Sequence, residues 1–129
     1  MRMSLLRIDH VQITAPRARE REARHFYTSV LGLRELERPR TIPPSALSFA
    51  LDEITELHVV LLDDPLKPPL GDHFAVVVDD LEGIKRRLTD HLVGYNPSPV
   101  QGRYERIFVR DPFGNRIEFL APAREGVLR

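Results

Sequence analysis

"HFAVVVDDLEGIKRRLTDHL" spans residues 73–92, and its reading decides the fold. "HFAVVV" is a β-branched, apolar run bounded by turn residues, which predicts a strand. "DDLEGIKRRLTDHL" then switches to helical spacing, with Asp79 and Glu82 fitting a capping box at its start. Just upstream, "DDPLKPPLGD" (63–72) holds three prolines and a glycine in ten residues and reads as a linker or extended crossover. The chain therefore restarts at His73, and the same order appears before the break. "LLRIDHVQITA" (5–15) reads as a strand, Pro16 opens a helical stretch over about 17–31, and Gly32 suits the position just past its end.

Each half continues with strands. In the first, Leu33 to Glu37 reads as a short strand, followed by the proline-rich loop "RPRTIPP" and the strands "ALSFAL" (46–51) and "ELHVVLL" (56–62). In the second, the loop "VGYNPSPVQG" has room for a short strand before "YERIFVR" and "RIEFL", which the turn "DPFG" separates. The order of strand, helix and about three strands thus occurs twice, over 5–62 and 73–122. This is an internal repeat of order with little residue identity.

Length and composition fix the broad class. The 129 residues, 42% of them hydrophobic, suit one domain with a real core. Nineteen basic and nineteen acidic side chains cancel, which removes the electrostatic footprint that nucleic-acid binding needs. "PRAREREARHF" (16–26) is locally basic, but Glu20 and Glu22 interleave with its arginines, as on a solvated helix face. The absence of cysteine excludes disulfides, thiolate ligands and cysteine nucleophiles. No apolar run has the length of a signal peptide or a membrane span. The expectation is a soluble cytoplasmic protein.

Four polar residues interrupt apolar strands at equivalent places in the two halves. His10 and His73 lie in the first strands, and His58 and Glu118 in the last. Related by a pseudo-two-fold axis, all four would point into one cleft. Imidazole nitrogens with one carboxylate are a donor set for Zn²⁺, Fe²⁺, Ni²⁺ or Mn²⁺. Each residue alone also has a structural reading, and Glu118 could instead pair with Arg116 or Arg106 on its own sheet. Gln12 shares the face of His10 and suits substrate contact, as do Tyr104, Arg106 and Phe108 on the penultimate strand. Glu56 shares the parity of His58 and is a candidate base. His25 and His91, beside the helices, read as surface or capping residues.

"IDHVQITAP", "FYTSVLGL", "HFAVVVDDLEGIKRRL" and "DPFGNRIEFLAP" together resemble the vicinal oxygen chelate superfamily, which includes glyoxalases, extradiol dioxygenases and bleomycin resistance proteins. The resemblance covers nearly the whole chain. It implies an α+β fold of two βαβββ modules forming a curved mixed-sheet cup around a divalent metal ion. It also implies ligands at His10, His73 and Glu118, with His58 where many glyoxalases carry glutamate. A small oxygen-rich substrate and a homodimer are expected, the cup being either intrachain or shared between partners. The first functional reading is a metal-dependent lyase, isomerase or dioxygenase, with Glu118 and Glu56 in catalytic roles. The alternative is a metal-free protein that sequesters a small ligand, as bleomycin resistance proteins do. Addition of water or thiol to an epoxide is a third option, though no potassium-loop residues precede "YERIFVR". The loop 38–45 and the tail "APAREGVLR" are candidate covers for the cup.

Overall fold

The computed structural model describes residues 3–37 and 45–123. It has the two modules expected from the repeat, each with its own sheet. In the first, β1 (His10–Pro16) leads through a 3₁₀ turn into α1 (Glu20–His25) and a π turn (Phe26–Val30), then to β2 (Ala46–Ala50) and β3 (Glu56–Leu62). In the second, β4 (His73–Val77) leads to α2 (Leu81–Asp90), β5 (Asn96–Gln101), β6 (Tyr104–Arg110) and β7 (Arg116–Pro122). The sheet orders are β1-β3-β2 and β4-β7-β6-β5. In both, the first strand of the module runs parallel to the last and the remaining pairs are antiparallel. A parallel pair needs a long crossover, which the helices supply.

Alternation along each strand separates two faces. Leu57, Val59 and Leu61 of β3, Leu47 and Phe49 of β2, and Ala15 of β1 are buried toward the helices. Ile117, Phe119 and Ala121 of β7, with Ile107 and Val109 of β6, do the same in the second sheet. These residues join Ala23, Phe26, Tyr27, Leu81 and Leu88 in one core shared by both modules. Leu81, Ile84 and Leu88 fall at i, i+3 and i+7 of α2, the spacing that seats one helix face on a core.

Two buried polar contacts join the modules. Asp111, in the turn before β7, accepts the Tyr27 hydroxyl at 2.7 Å, the Phe113 and Asn115 amides at 2.9 and 2.8 Å, and Asn115 Nδ2 at 2.8 Å. The same Nδ2 donates to the Thr14 carbonyl of β1 at 2.9 Å. Burial raises the Asp111 carboxyl above its ordinary range, against the hydrogen bonds that lower it. Burial and the Asp111 charge also keep Tyr27 protonated as a donor. Elsewhere, Arg87 of α2 donates to the Val30 and Ser29 carbonyls at the end of the first helical stretch, at 3.0 and 2.9 Å. Gly32 there has φ +80°, and a Cβ on it would meet the Arg87 guanidinium at 2.9 Å. Glycine at this helix end is thus favoured by conformation, and its bare Cα leaves room for the Arg87 guanidinium.

Several expectations need correction. The first strand begins at His10 rather than Leu5, because β3 begins at Glu56 and no ladder partner exists further upstream. Residues 3–9 are exposed and outside any strand. The cap of α2 is Asp80, not Asp79: its carboxylate accepts the Gly83 amide at 2.9 Å, while Glu82 binds Lys85 at 3.0 Å. The strand expected over 33–37 is reduced to a single bridge, Glu35 with Phe49. The short strand hidden in 93–102 is β5. The arginines of α1 and the turn before it pair as expected, Arg19 with Glu22 and Arg24 with Glu20. His91 accordingly caps α2, its Nδ1 on the Arg87 carbonyl at 2.8 Å, with the His25 ring 6.1 Å away. No helix among the described residues is long and apolar enough to cross a membrane. The loop 38–44 and the tail beyond Ala123, candidate covers for the cup, lie outside the described residues.

Two stability changes follow. Tyr27→Phe removes a buried donor from Asp111 and is expected to lower unfolding free energy by about 1–3 kcal/mol in urea titration. Asp80→Ala removes the α2 cap and should cost about 1 kcal/mol in the same assay.

Candidate functional site

The sheet faces opposite the core carry the polar residues. On the first sheet, His10 and Gln12 of β1 share a face with Glu56 and His58 of β3 and Ser48 of β2. The register makes this explicit, with His10 beside Glu56 and both Gln12 and Ser48 beside His58. The His10 and His58 rings stack, their centroids 4.3 Å apart and their planes 19° from parallel. His58 is buried, and its Nε2 lies 3.0 Å from Glu56 Oε1, which also accepts the Ser48 hydroxyl at 2.9 Å. These two contacts, the His58 one first, hold the Glu56 carboxyl below its ordinary range. A carboxylate oxygen that accepts from Ser48 accepts from His58 as well, so His58 Nε2 bears a proton. His10 donates from Nδ1 to Asp9 Oδ2 at 3.0 Å, which leaves its Nε2 as the nitrogen that could bind an ion. That contact is also the main cause that lowers the Asp9 carboxyl.

On the second sheet, His73 of β4 meets Glu118 of β7. Glu118 is buried, and its Oε1 lies 3.0 Å from His73 Nε2. Its Oε2 accepts from Arg106 Nη1 at 2.8 Å. Phe108 stands directly opposite Glu118 across the β6–β7 ladder, with the His73 ring edge-on at 5.4 Å. The Arg116 guanidinium covers the Phe108 ring at 3.8 Å. Glu118 therefore faces His73 on one side and Arg106 on the other. Of the two sheet arginines, Arg106 is its ion-pair partner and Arg116 is not.

His73 carries the most informative hydrogen bond. Its Nδ1 lies 3.0 Å from the Gly71 carbonyl, which can only accept, so Nδ1 bears a proton. Its Nε2 faces a carboxylate oxygen, to which a doubly protonated ring would donate and toward which a ring protonated at Nδ1 alone would turn a lone pair. Two acceptors facing each other at 3.0 Å need a proton or a metal cation between them. Two donors on adjacent positions of one ion, with bonds of about 2.1 Å, would stand about 3.0 Å apart. The backbone carbonyl behind the imidazole is the outer-shell partner that metal-bound histidines commonly have. His73 and Glu118 thus stand at a spacing that two donors on one ion could share, but they are a pair and not a complete site.

The structure brings the expected residues together as two pairs, His10 with His58 and His73 with Glu118. Among the described residues it gathers no group of three or more that could hold one ion. Stacking contributes to this on the first sheet. A lone pair lies in its ring plane, so an ion midway between two stacked rings would lie well out of both planes. Gln12 is exposed beside His58, whereas Tyr104 pairs with Pro122, four residues along β6 from Phe108. Ser48, Asp9 and Gly71 were not anticipated. Ser48 shares the face of His58, Asp9 adjoins His10 and Gly71 lies two residues before His73, signals that become visible only once the imidazole orientations are known.

Comparison with known proteins agrees with this architecture. No protein of curated function matches the chain significantly. A solved glyoxalase family protein from Bacillus anthracis is 31% identical, with a TM-score of 0.84 over 95% of this chain and 99% of that one. A glyoxalase/dioxygenase from Nostoc punctiforme shares 17% identity and a TM-score of 0.73, over 96% of this chain and all of that one. A lactoylglutathione lyase from Agrobacterium tumefaciens shares 18% identity and a TM-score of 0.70, over 92% of this chain and 95% of that one. At those two identities the likeness speaks for the fold alone. The family model for these proteins matches residues 7–119, and with the paired modules and their polar faces it places the chain in the glyoxalase/bleomycin resistance protein/dioxygenase superfamily.

Proposed function

We propose that the chain is a metal-dependent enzyme acting on a small substrate with adjacent oxygen atoms. The single observation that carries this reading is His73, fixed by the Gly71 carbonyl with its Nε2 toward Glu118. His10, His73 and Glu118 are the proposed donors. His58 is the fourth candidate, its Nε2 now engaged by Glu56. When bound, a Zn²⁺, Fe²⁺, Ni²⁺ or Mn²⁺ ion would supply Lewis acidity toward the substrate oxygens.

The chain's own residues would do the rest. Glu56, held by Ser48 and His58, is the proposed proton acceptor on the first sheet. Gln12 beside it would hydrogen-bond substrate, and Phe108 and Tyr104 would form an apolar wall on the second sheet. Because no group of three donors gathers within one chain among the described residues, a homodimer is proposed to complete the site. His10 and His58 of one protomer would then meet the partner's His73 and Glu118. A two-fold dimer would carry two such shared sites.

Metal content tests the reading directly. Protein purified without chelator, or offered the four ions, should take up about one equivalent by elemental analysis, and Glu118→Ala and His73→Ala should lose it. His58→Ala would keep the metal only if His58 is not a ligand. Mixing His10→Ala with Glu118→Ala subunits distinguishes a shared site from an intrachain one. Random dimers with shared sites regain about a quarter of the wild-type metal, because half are heterodimers with one intact site. Intrachain sites regain none. Wild-type protein that takes up none of the four ions would overturn the proposal in favour of metal-free ligand sequestration.

A further inference from the structure

We propose that Arg116 and Gln12 form a subsite for an oxyanion of a small ligand, in the cavity between the edge strands of the two sheets. β1 ends the first sheet and β4 ends the second, and the described strands form no ladder between them. A cavity of about 290 Å³ lies there, bounded by Gln12 and Thr14 of β1, His73 and Phe74 of β4, and Asn115 and Arg116 where β7 begins. The bond from Asn115 Nδ2 to the Thr14 carbonyl ties the two edges together. Such a volume suits one small molecule or one group of a larger one.

The chemistry follows from how the neighbouring arginines are used. Arg106 binds Glu118 at 2.8 Å, and Arg110 donates to the Gly114 and Leu70 carbonyls at 2.8 and 3.0 Å. Arg116 is half-buried and has neither an ion pair nor a hydrogen bond among the described residues. Its guanidinium lies over the Phe108 ring, 3.8 Å from the centroid. Stacking fixes the guanidinium plane and leaves the N–H groups at its edge free. A guanidinium in that state offers the paired donors that carboxylates and phosphates accept. An arginine placed for stability alone would gain by reaching Glu118, two residues away on the same face, but Arg106 holds that carboxylate.

The opposite wall supplies a second donor. Gln12 is exposed, and its side-chain amide has no partner among the described residues. The carboxylate that lines the cavity, Asp72, is exposed to solvent and forms no ion pair with Arg116. A carboxylate or phosphoryl group bridging Arg116 and Gln12 would sit beside His73, which is paired with Arg116 in the β4–β7 register. The subsite needs no metal ion, so it holds for an enzyme and for a ligand-sequestering protein alike.

Arginine Nε–H and glutamine side-chain amide signals of ¹⁵N-labelled protein, dialysed free of divalent ions, report on the subsite without turnover. The probes are sodium phosphate and sodium acetate, each compared with sodium chloride at equal ionic strength. One or both oxyanions should shift the Arg116 and Gln12 signals saturably, and chloride should not. The tighter of the two shows whether the subsite prefers a phosphoryl group or a carboxylate. Arg116→Gln should weaken the Gln12 response by about 10-fold or more. Arg86→Gln makes the same change of charge at an arginine of α2 whose side chain is 71% exposed, and should leave the response intact. Arg116→Lys keeps the charge but loses the fork; it should weaken binding by less, and it serves alone if the glutamine variant does not fold. No saturable shift with either oxyanion, or an unchanged Gln12 response in whichever Arg116 variant folds, overturns the subsite. Metal uptake is read separately, so either reading can fail while the other stands.

Discussion

The buried carboxylate of Asp111 is the point on which the two modules close. It collects donors from the helical stretch of the first module and from the turn that starts the last strand of the second. Through Asn115 it also reaches the backbone of β1. A buried charge is tolerated only where its acceptor sites are filled, so the geometry of the turn, of Tyr27 and of β1 must be satisfied at once. That constraint fixes β7 relative to β1. It thereby fixes where Glu118 stands relative to the face that bears His10.

On that scaffold, each sheet turns one face to the shared core and presents polar residues on the other. The two polar faces share a design although their residues differ. In each, an imidazole on the last or first strand of the module meets a carboxylate: His58 with Glu56, and His73 with Glu118. In each, a further donor holds that carboxylate, Ser48 in one case and Arg106 in the other. The difference lies in charge. A serine hydroxyl leaves Glu56 with its full negative charge at a partly open surface, whereas arginine neutralises a carboxylate that is buried. The two carboxylates thus differ in burial and in how far their charge is offset.

Much of the arrangement was legible in the chain. The break at "DDPLKPPLGD" and the restart at His73 marked the modules, because proline and glycine interrupt regular structure wherever they cluster. Alternation in "ELHVVLL" and "NRIEFL" put His58 and Glu118 on the faces opposite the core. The repeat paired His10 with His73 and His58 with Glu118 as equivalent positions. Less legible were the boundaries. β1 starts five residues later than its β-branched composition suggests, because a strand needs a partner and β3 provides none there. Asp79 and Asp80 are equally good caps in sequence, and only the backbone turn selects Asp80.

The sequence by itself determined the periodicities, the module order and the residue types available for chemistry, since these depend on near neighbours along the chain. Tertiary structure decided everything that depends on direction. It stacked His10 on His58, turned His73 through the Gly71 carbonyl, and chose Arg106 over Arg116 as the partner of Glu118. Both arginines share the Glu118 face by parity, but β6 brings Arg106 against the carboxylate while Arg116 folds over Phe108. Hydrogen-bond direction and ring orientation are properties of packed strands from different parts of the chain. No local pattern encodes them.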